Sequence, residues 1–139
     1  MPILGLDTAF VIPGEYLDLA KVKRNALYGQ DENELTPTQI SEKMIAFYKN
    51  IVEKRGGNVS AYFEDYFVLI LPNGEVRKES GRRPVMLTSK IHGIVDSYFP
   101  LRSMYIVEAT NKYSIEQTPE EEMCELQPYQ EALKRILTK

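Results

Sequence analysis

Cysteine and histidine are nearly missing: the 139 residues hold one of each, Cys124 and His92. A single cysteine excludes an internal disulfide and any cysteine-built metal cage, and a single histidine excludes a multi-histidine metal centre. Tryptophan is absent. No apolar run approaches the ~20 residues that a bilayer-spanning helix needs. The opening MPILGLDTAF carries no basic segment and has an acid at Asp7, so it does not read as a secretory signal. Glycine-rich phosphate loops, GxSxG and HExxH are missing too, which removes the dinucleotide, P-loop, serine-hydrolase and zincin classes. These absences imply no cofactor, no metal and no membrane partner, and make a reducing cytoplasm the expected compartment.

What is present describes an ordinary globular chain. Apolar residues make up 43% and charged residues 27%, enough of each for one core and one wet surface at this length. The net charge of −3 argues against nucleic-acid binding by overall charge but leaves a local basic patch open. No repeat or linker divides the sequence, so residues 1–139 are expected to form one α+β domain.

The segment ILGLDTAFVI, residues 3–12, is short, apolar and partly β-branched, and Pro13-Gly14 ends it: a strand. EYLDLAKVKRNAL favours a helix by propensity, followed by a polar loop over 28–35. Thr36 as cap and Pro37 at the first helical position open a helix over about 37–55. Ile40, Met44, Ile45, Phe47, Tyr48, Ile51 and Val52 form its apolar face, and Gly56-Gly57 stops it. NVSAYFED, 58–65, is expected to make one helical turn. YFVLIL, 66–71, then reads as a central strand covered on both faces.

Leu71-Pro72-Asn73-Gly74 fits a type I turn closed by a left-handed glycine, giving a bulged hairpin. EVRKES would be its polar edge strand, interrupted at Gly81 and Pro84. Ser89 is placed to cap a short helix ending at Pro100, and SMYIVEAT, 103–110, reads as a strand. Thr118 and Glu121 form a capping box for a last helical region that Pro128 splits. The sum is a mainly antiparallel sheet covered by the helix of 37–55 and by carboxy-terminal helices.

Few residues suggest chemistry. Arg77, Lys78, Arg82 and Arg83 cluster within seven positions and are candidates for anion or nucleic-acid binding, although Glu75 and Glu79 interrupt them. Asp65 and His92 are the candidate catalytic groups, each lacking a partner that the sequence can supply. Tyr48 and Tyr66 are candidates to line a ligand pocket, since their rings are apolar and their hydroxyls can orient a ligand. The run Glu116–Glu125 holds five acids and no base; it is suited to a basic partner, or to Arg77–Arg83 across a dimer contact.

The stretch ISEKMIAFYKNIVEKRG, GNVSAYFED, YFVLILPNGEVRKESGRR and YIVEAT, about residues 38–110, resembles the front of NTF2-like domains, the SnoaL-type and ketosteroid-isomerase-type proteins. That resemblance implies a curved sheet wrapped on a long helix around a conical pocket for a small apolar molecule. The last thirty residues depart from it, because they read as helix where the family continues in paired strands. No catalytic set transfers.

The expected function is therefore a non-catalytic accessory or interaction module, with an unknown protein or a second copy of itself as partner. An NTF2-like ligand-binding or acid–base protein is one alternative, and nucleic-acid binding through residues 77–83 is another.

Overall fold

The computed structural model describes residues 1–15, 35–96 and 99–138. The helix expected over EYLDLAKVKRNAL and the polar loop after it lie outside the described residues. Five strands form one antiparallel sheet whose spatial order is their order in the chain: β1 (Ile3–Val11), β2 (Asn58–Ile70), β3 (Val76–Thr88), β4 (Tyr105–Val107) and β5 (Lys112–Tyr113). Among the described residues three α-helices accompany it: α1 (Pro37–Lys54), α2 (Pro119–Glu125) and α3 (Gln127–Thr138). The α+β class, the antiparallel sheet, and cover by the long helix and the carboxy-terminal helices agree with the sequence analysis. Among the described residues no helix is long and apolar enough to cross a membrane.

The local signals behind these elements are chemical. Gln39 N–H donates to the Thr36 hydroxyl at 3.2 Å, and Thr36 N–H donates back to the Gln39 side chain at 2.9 Å; this reciprocal pair starts α1. Thr118 and Glu121 repeat the device at α2. The hairpin turn closes as expected: Gly74 N–H donates to the Leu71 carbonyl at 2.9 Å with φ at +88°, a conformation that disfavours any side chain.

Five expectations need correction. First, residues 58–65 make no helical turn, because β2 begins at Asn58. Val59, Ala61, Phe63, Asp65, Phe67 and Leu69 are all buried, so a period of two runs through the whole segment. Second, β2 lies inside the sheet but is covered on one face only: Tyr66 and Ile70, on the other, are 44% and 41% exposed.

Third, β3 is one strand of thirteen residues passing through Gly81 and Pro84, not a short edge piece. Gly81 is opposite Asp65 because α3 crosses there; a Cβ at this position would lie 2.6 Å from the Pro128 carbonyl oxygen. Fourth, no helix follows Ser89 among the described residues, where the chain is tied sideways instead, His92 N–H donating to the Ser103 carbonyl at 2.9 Å. Fifth, the strand expected over 103–110 is only Tyr105–Val107, and Asn111 N–H turns the chain back by donating to the Val107 carbonyl.

The covered face carries two apolar clusters side by side. At one end Phe10, Ile12, Val59, Phe63, Val85, Leu87 and Tyr105 pack with Tyr48 and Val52 of α1. At the other end Phe67 and Leu69 pack with Ala132 and Ile136 of α3. Asp65 stands between them on β2, fully buried. A charged residue in that place is tolerated only with partners, and those partners define the site.

Candidate functional site

A cavity of about 450 Å³ opens beside this charged seam. Its wall is aromatic: Phe10 from β1, Tyr48 from α1, Phe63 from β2, Phe99 before the 3-10 turn Pro100–Ser103, and Tyr105 from β4. The rings pack edge to face or tilted, Phe10 against Phe63 at 4.8 Å and Phe63 against Tyr105 at 5.3 Å. The polar end is lined by Thr8, Arg83, Arg102, Ser114, Glu122 and Glu125.

Arg83 is the centre of the polar end. Its Nε and Nη2 donate to the two carboxylate oxygens of Asp65 at 2.8 and 3.1 Å, a bidentate pair. Its Nη1 reaches Glu125 at 3.4 Å, and the guanidinium lies 4.9 Å from the centre of the Phe63 ring. The Thr8 hydroxyl donates to Asp65 at 2.8 Å, and the Gln117 amide holds the other oxygen of Glu125 at 2.8 Å. Arg102 enters from the 3-10 turn. It donates to the Ser114 hydroxyl at 3.3 Å, to the Ser114 carbonyl at 3.2 Å and to Glu122 at 3.1 Å, with Asp96 at 4.0 Å.

Two tyrosine hydroxyls are tuned by this setting. Burial pushes Tyr48 up to about 12. Burial, followed by the nearby Glu125 charge, pushes Tyr105 up to about 12, and its hydroxyl donates to Ser114 at 3.1 Å. Both stay protonated at neutral pH: Tyr105 spends its hydrogen on Ser114, and Tyr48 can act as a donor.

The structure brings together only part of the set proposed from sequence. Tyr48 lines the cavity, and Asp65 anchors Arg83 from below it. Tyr66 is on the open face of the sheet, where its first interaction is with Glu64, which raises its pKa. His92 is stacked on Tyr113 at 4.6 Å and contacts Glu116, apart from the cavity lining.

The basic arm divides by strand parity. Arg77 and Arg83 face one side of the sheet, Lys78 and Arg82 the other. Arg82 lies over the Tyr62 ring at 4.4 Å and pairs with Glu64 at 3.0 Å, while Arg77 pairs with Glu75 at 3.3 Å. No common basic surface forms from these four. The acidic run meets Arg83 within the same chain, through Glu125.

Sequence reasoning missed Arg102, Thr8 and the phenylalanines of the wall, and it named Glu122 and Glu125 only as members of an acidic run. The available signal was the spacing of Glu122 and Glu125, three apart on one helical face. Reading 58–70 and 76–88 as continuous strands would also have set Arg83 diagonally across from Asp65.

No family model and no curated protein matches the sequence. Solved structures do share the fold. A nucleoside-triphosphatase / dITP/XTP pyrophosphatase from Mycobacterium abscessus superposes with a TM-score of 0.65 at 16% identity, over 100% of this chain and 68% of its own. A HAM1 protein from Coxiella burnetii gives 0.67 at 19% identity, over 99% and 68%. The Staphylococcus aureus Ham1 protein gives 0.59 at 15%, over 96% and 63%. At these identities the likeness is one of fold.

It overturns the NTF2-like resemblance: the sheet is a meander in chain order with α1 over one end and α3 over the other, not a cone wrapped on a single helix. It also overturns the expectation of a non-catalytic interaction module, since the fold is shared with a protein described as an enzyme. Both alternatives fall with it, the NTF2-like pocket by its fold and the nucleic-acid arm by its division between two faces.

Proposed function

We propose that this chain is a nucleotide pyrophosphatase that takes a nucleoside triphosphate in the aromatic-walled cavity. Water attacks the α-phosphorus, the bond to the bridging oxygen breaks, and a nucleoside monophosphate and pyrophosphate leave. The observation that carries the reading is one cavity, in a fold shared with a dITP/XTP pyrophosphatase, with a ring-lined end and a two-arginine end. Phe10, Phe63, Phe99 and Tyr105 offer faces and edges for a base, and the protonated Tyr48 hydroxyl offers it a donor. Arg83 and Arg102 suit phosphate oxygens, which guanidinium groups bind through paired N–H bonds. The volume falls in the range of small-molecule sites.

Among the described residues no group of three or more acids, histidines or cysteines could hold a metal ion by itself. Nucleotide sites usually hold Mg²⁺ with one or two carboxylates together with the phosphates, so the assay supplies it. Pyrophosphate release is measured from dITP, XTP and the common triphosphates, with thermal shift as a binding readout. Release from at least one triphosphate, reduced by Arg102→Met, is expected. No release from any of them and no thermal shift at millimolar nucleotide would refute the assignment.

A further inference from the structure

Both arginines of the cavity already hold carboxylates, and one carboxylate on each comes from a single short helix. Glu122 of α2 takes Arg102 at 3.1 Å, and Glu125 takes Arg83 at 3.4 Å. Three residues apart, their Cβ atoms are about 5–6 Å from one another on a single helical face. Each arginine is also fixed independently: Arg83 by the bidentate hold of the buried Asp65, Arg102 by the hydroxyl and carbonyl of Ser114. Removing the carboxylates of α2 therefore leaves two aimed guanidinium groups.

The balance of charge points the same way. Arg83 touches Asp65 and Glu125, and Arg102 touches Asp96 and Glu122, so two positive groups face four negative ones. A phosphate chain entering this end meets an excess of its own sign. The contacts of α2 are also open to exchange. The Glu125 contact is longer than either bond to Asp65, and Glu122 is half-exposed.

We infer that Arg83 and Arg102 form a polyphosphate subsite and that Glu122 and Glu125 are its resident occupants, which a diphosphate group must displace. The helix α2 acts as an internal competitor and sets the affinity of the cavity for its anionic ligand. The inference deepens the pyrophosphatase reading and rests on it only for the identity of the natural ligand.

The test titrates inorganic pyrophosphate, without metal, into the wild-type chain and into Glu122→Gln, Glu125→Gln and the double variant. Glu120→Gln serves as the control: it removes a charge from the same helix at an exposed position. Each single variant is expected to bind more tightly than wild type, and the double variant about tenfold more tightly, while the control is unchanged. Circular dichroism and melting confirm folding. If Glu125→Gln does not fold, Glu122→Gln decides alone, because its side chain is half-exposed and carries little of the core. A folded double variant (or Glu122→Gln in that case) with unchanged or weaker pyrophosphate affinity overturns the inference. Gain of affinity without triphosphate hydrolysis by the wild type would sink the enzymatic reading and leave this one standing.

Discussion

Replacing Gly81 with alanine adds one methyl group where the fold leaves no room. The new Cβ would be 2.6 Å from the Pro128 carbonyl oxygen and 3.0 Å from its carbon, both backbone atoms of α3 that cannot rotate away. Reaching ordinary contact at 3.4 Å requires α3 to retreat by about 0.8 Å. Overpacking of this kind costs about 1–3 kcal/mol. Alanine gives back about 0.4–1 kcal/mol by restricting the unfolded chain. The net expectation is a loss of about 1–2 kcal/mol, which lowers Tm by about 3–10 °C at this chain length.

Gly5→Ala on β1 is the internal control. Its nearest neighbour is the Val68 carbonyl oxygen at 3.9 Å, so only the unfolded-state gain remains and Tm should hold or rise. Differential scanning calorimetry of the two variants beside wild type reads the comparison. A Gly81→Ala protein as stable as wild type would mean that α3 does not cross β3 as closely as described.

Two further outcomes follow from the buried polar groups. Asp65→Asn leaves the largely covered Arg83 with Glu125 as its remaining carboxylate partner, and should lower the stability measured in urea by about 3 kcal/mol, the lower end for a broken buried pair. A loss below about 1 kcal/mol would show that Glu125 alone satisfies Arg83. Tyr48 and Tyr105, each raised to about 12, favour the folded state fully below pH 10, where they are protonated folded or unfolded. Above pH 10 the unfolded tyrosines ionise first, so stability should fall by about 2–3 kcal/mol for each residue as the pH climbs to about 12. Tyr48→Phe should remove one share of that fall; an identical alkaline profile in the variant contradicts the assignment.

The sequence carried its local chemistry well and its long-range geometry poorly. The capping pairs at Thr36 and Thr118, the turn at Pro72-Asn73-Gly74 and the break before Pro128 each depend on residues within a few positions, and each is where it was expected. The extent of β2 and β3 was misjudged for a different reason. Asp65, Gly81 and Pro84 look like strand breakers until their partners are known: an arginine diagonally across, a helix passing overhead and Glu108 N–H on the Pro84 carbonyl. The cavity was illegible for the same reason. Arg102, Glu122 and Thr8 are ordinary polar residues in the sequence, and only the meander of the sheet and the return of α2 place them around one space.

The ionic seam at Asp65 has a consequence for how the molecule tolerates change. The two apolar clusters it separates share no side-chain members, so substitutions such as Val52→Ala and Ile136→Ala should have independent, additive energies. Either half of the interior can then drift in sequence without an answering change in the other. The seam has no such freedom: Asp65, Arg83 and Glu125 must vary as a set, and they are where mutational history in this chain should leave its correlated marks.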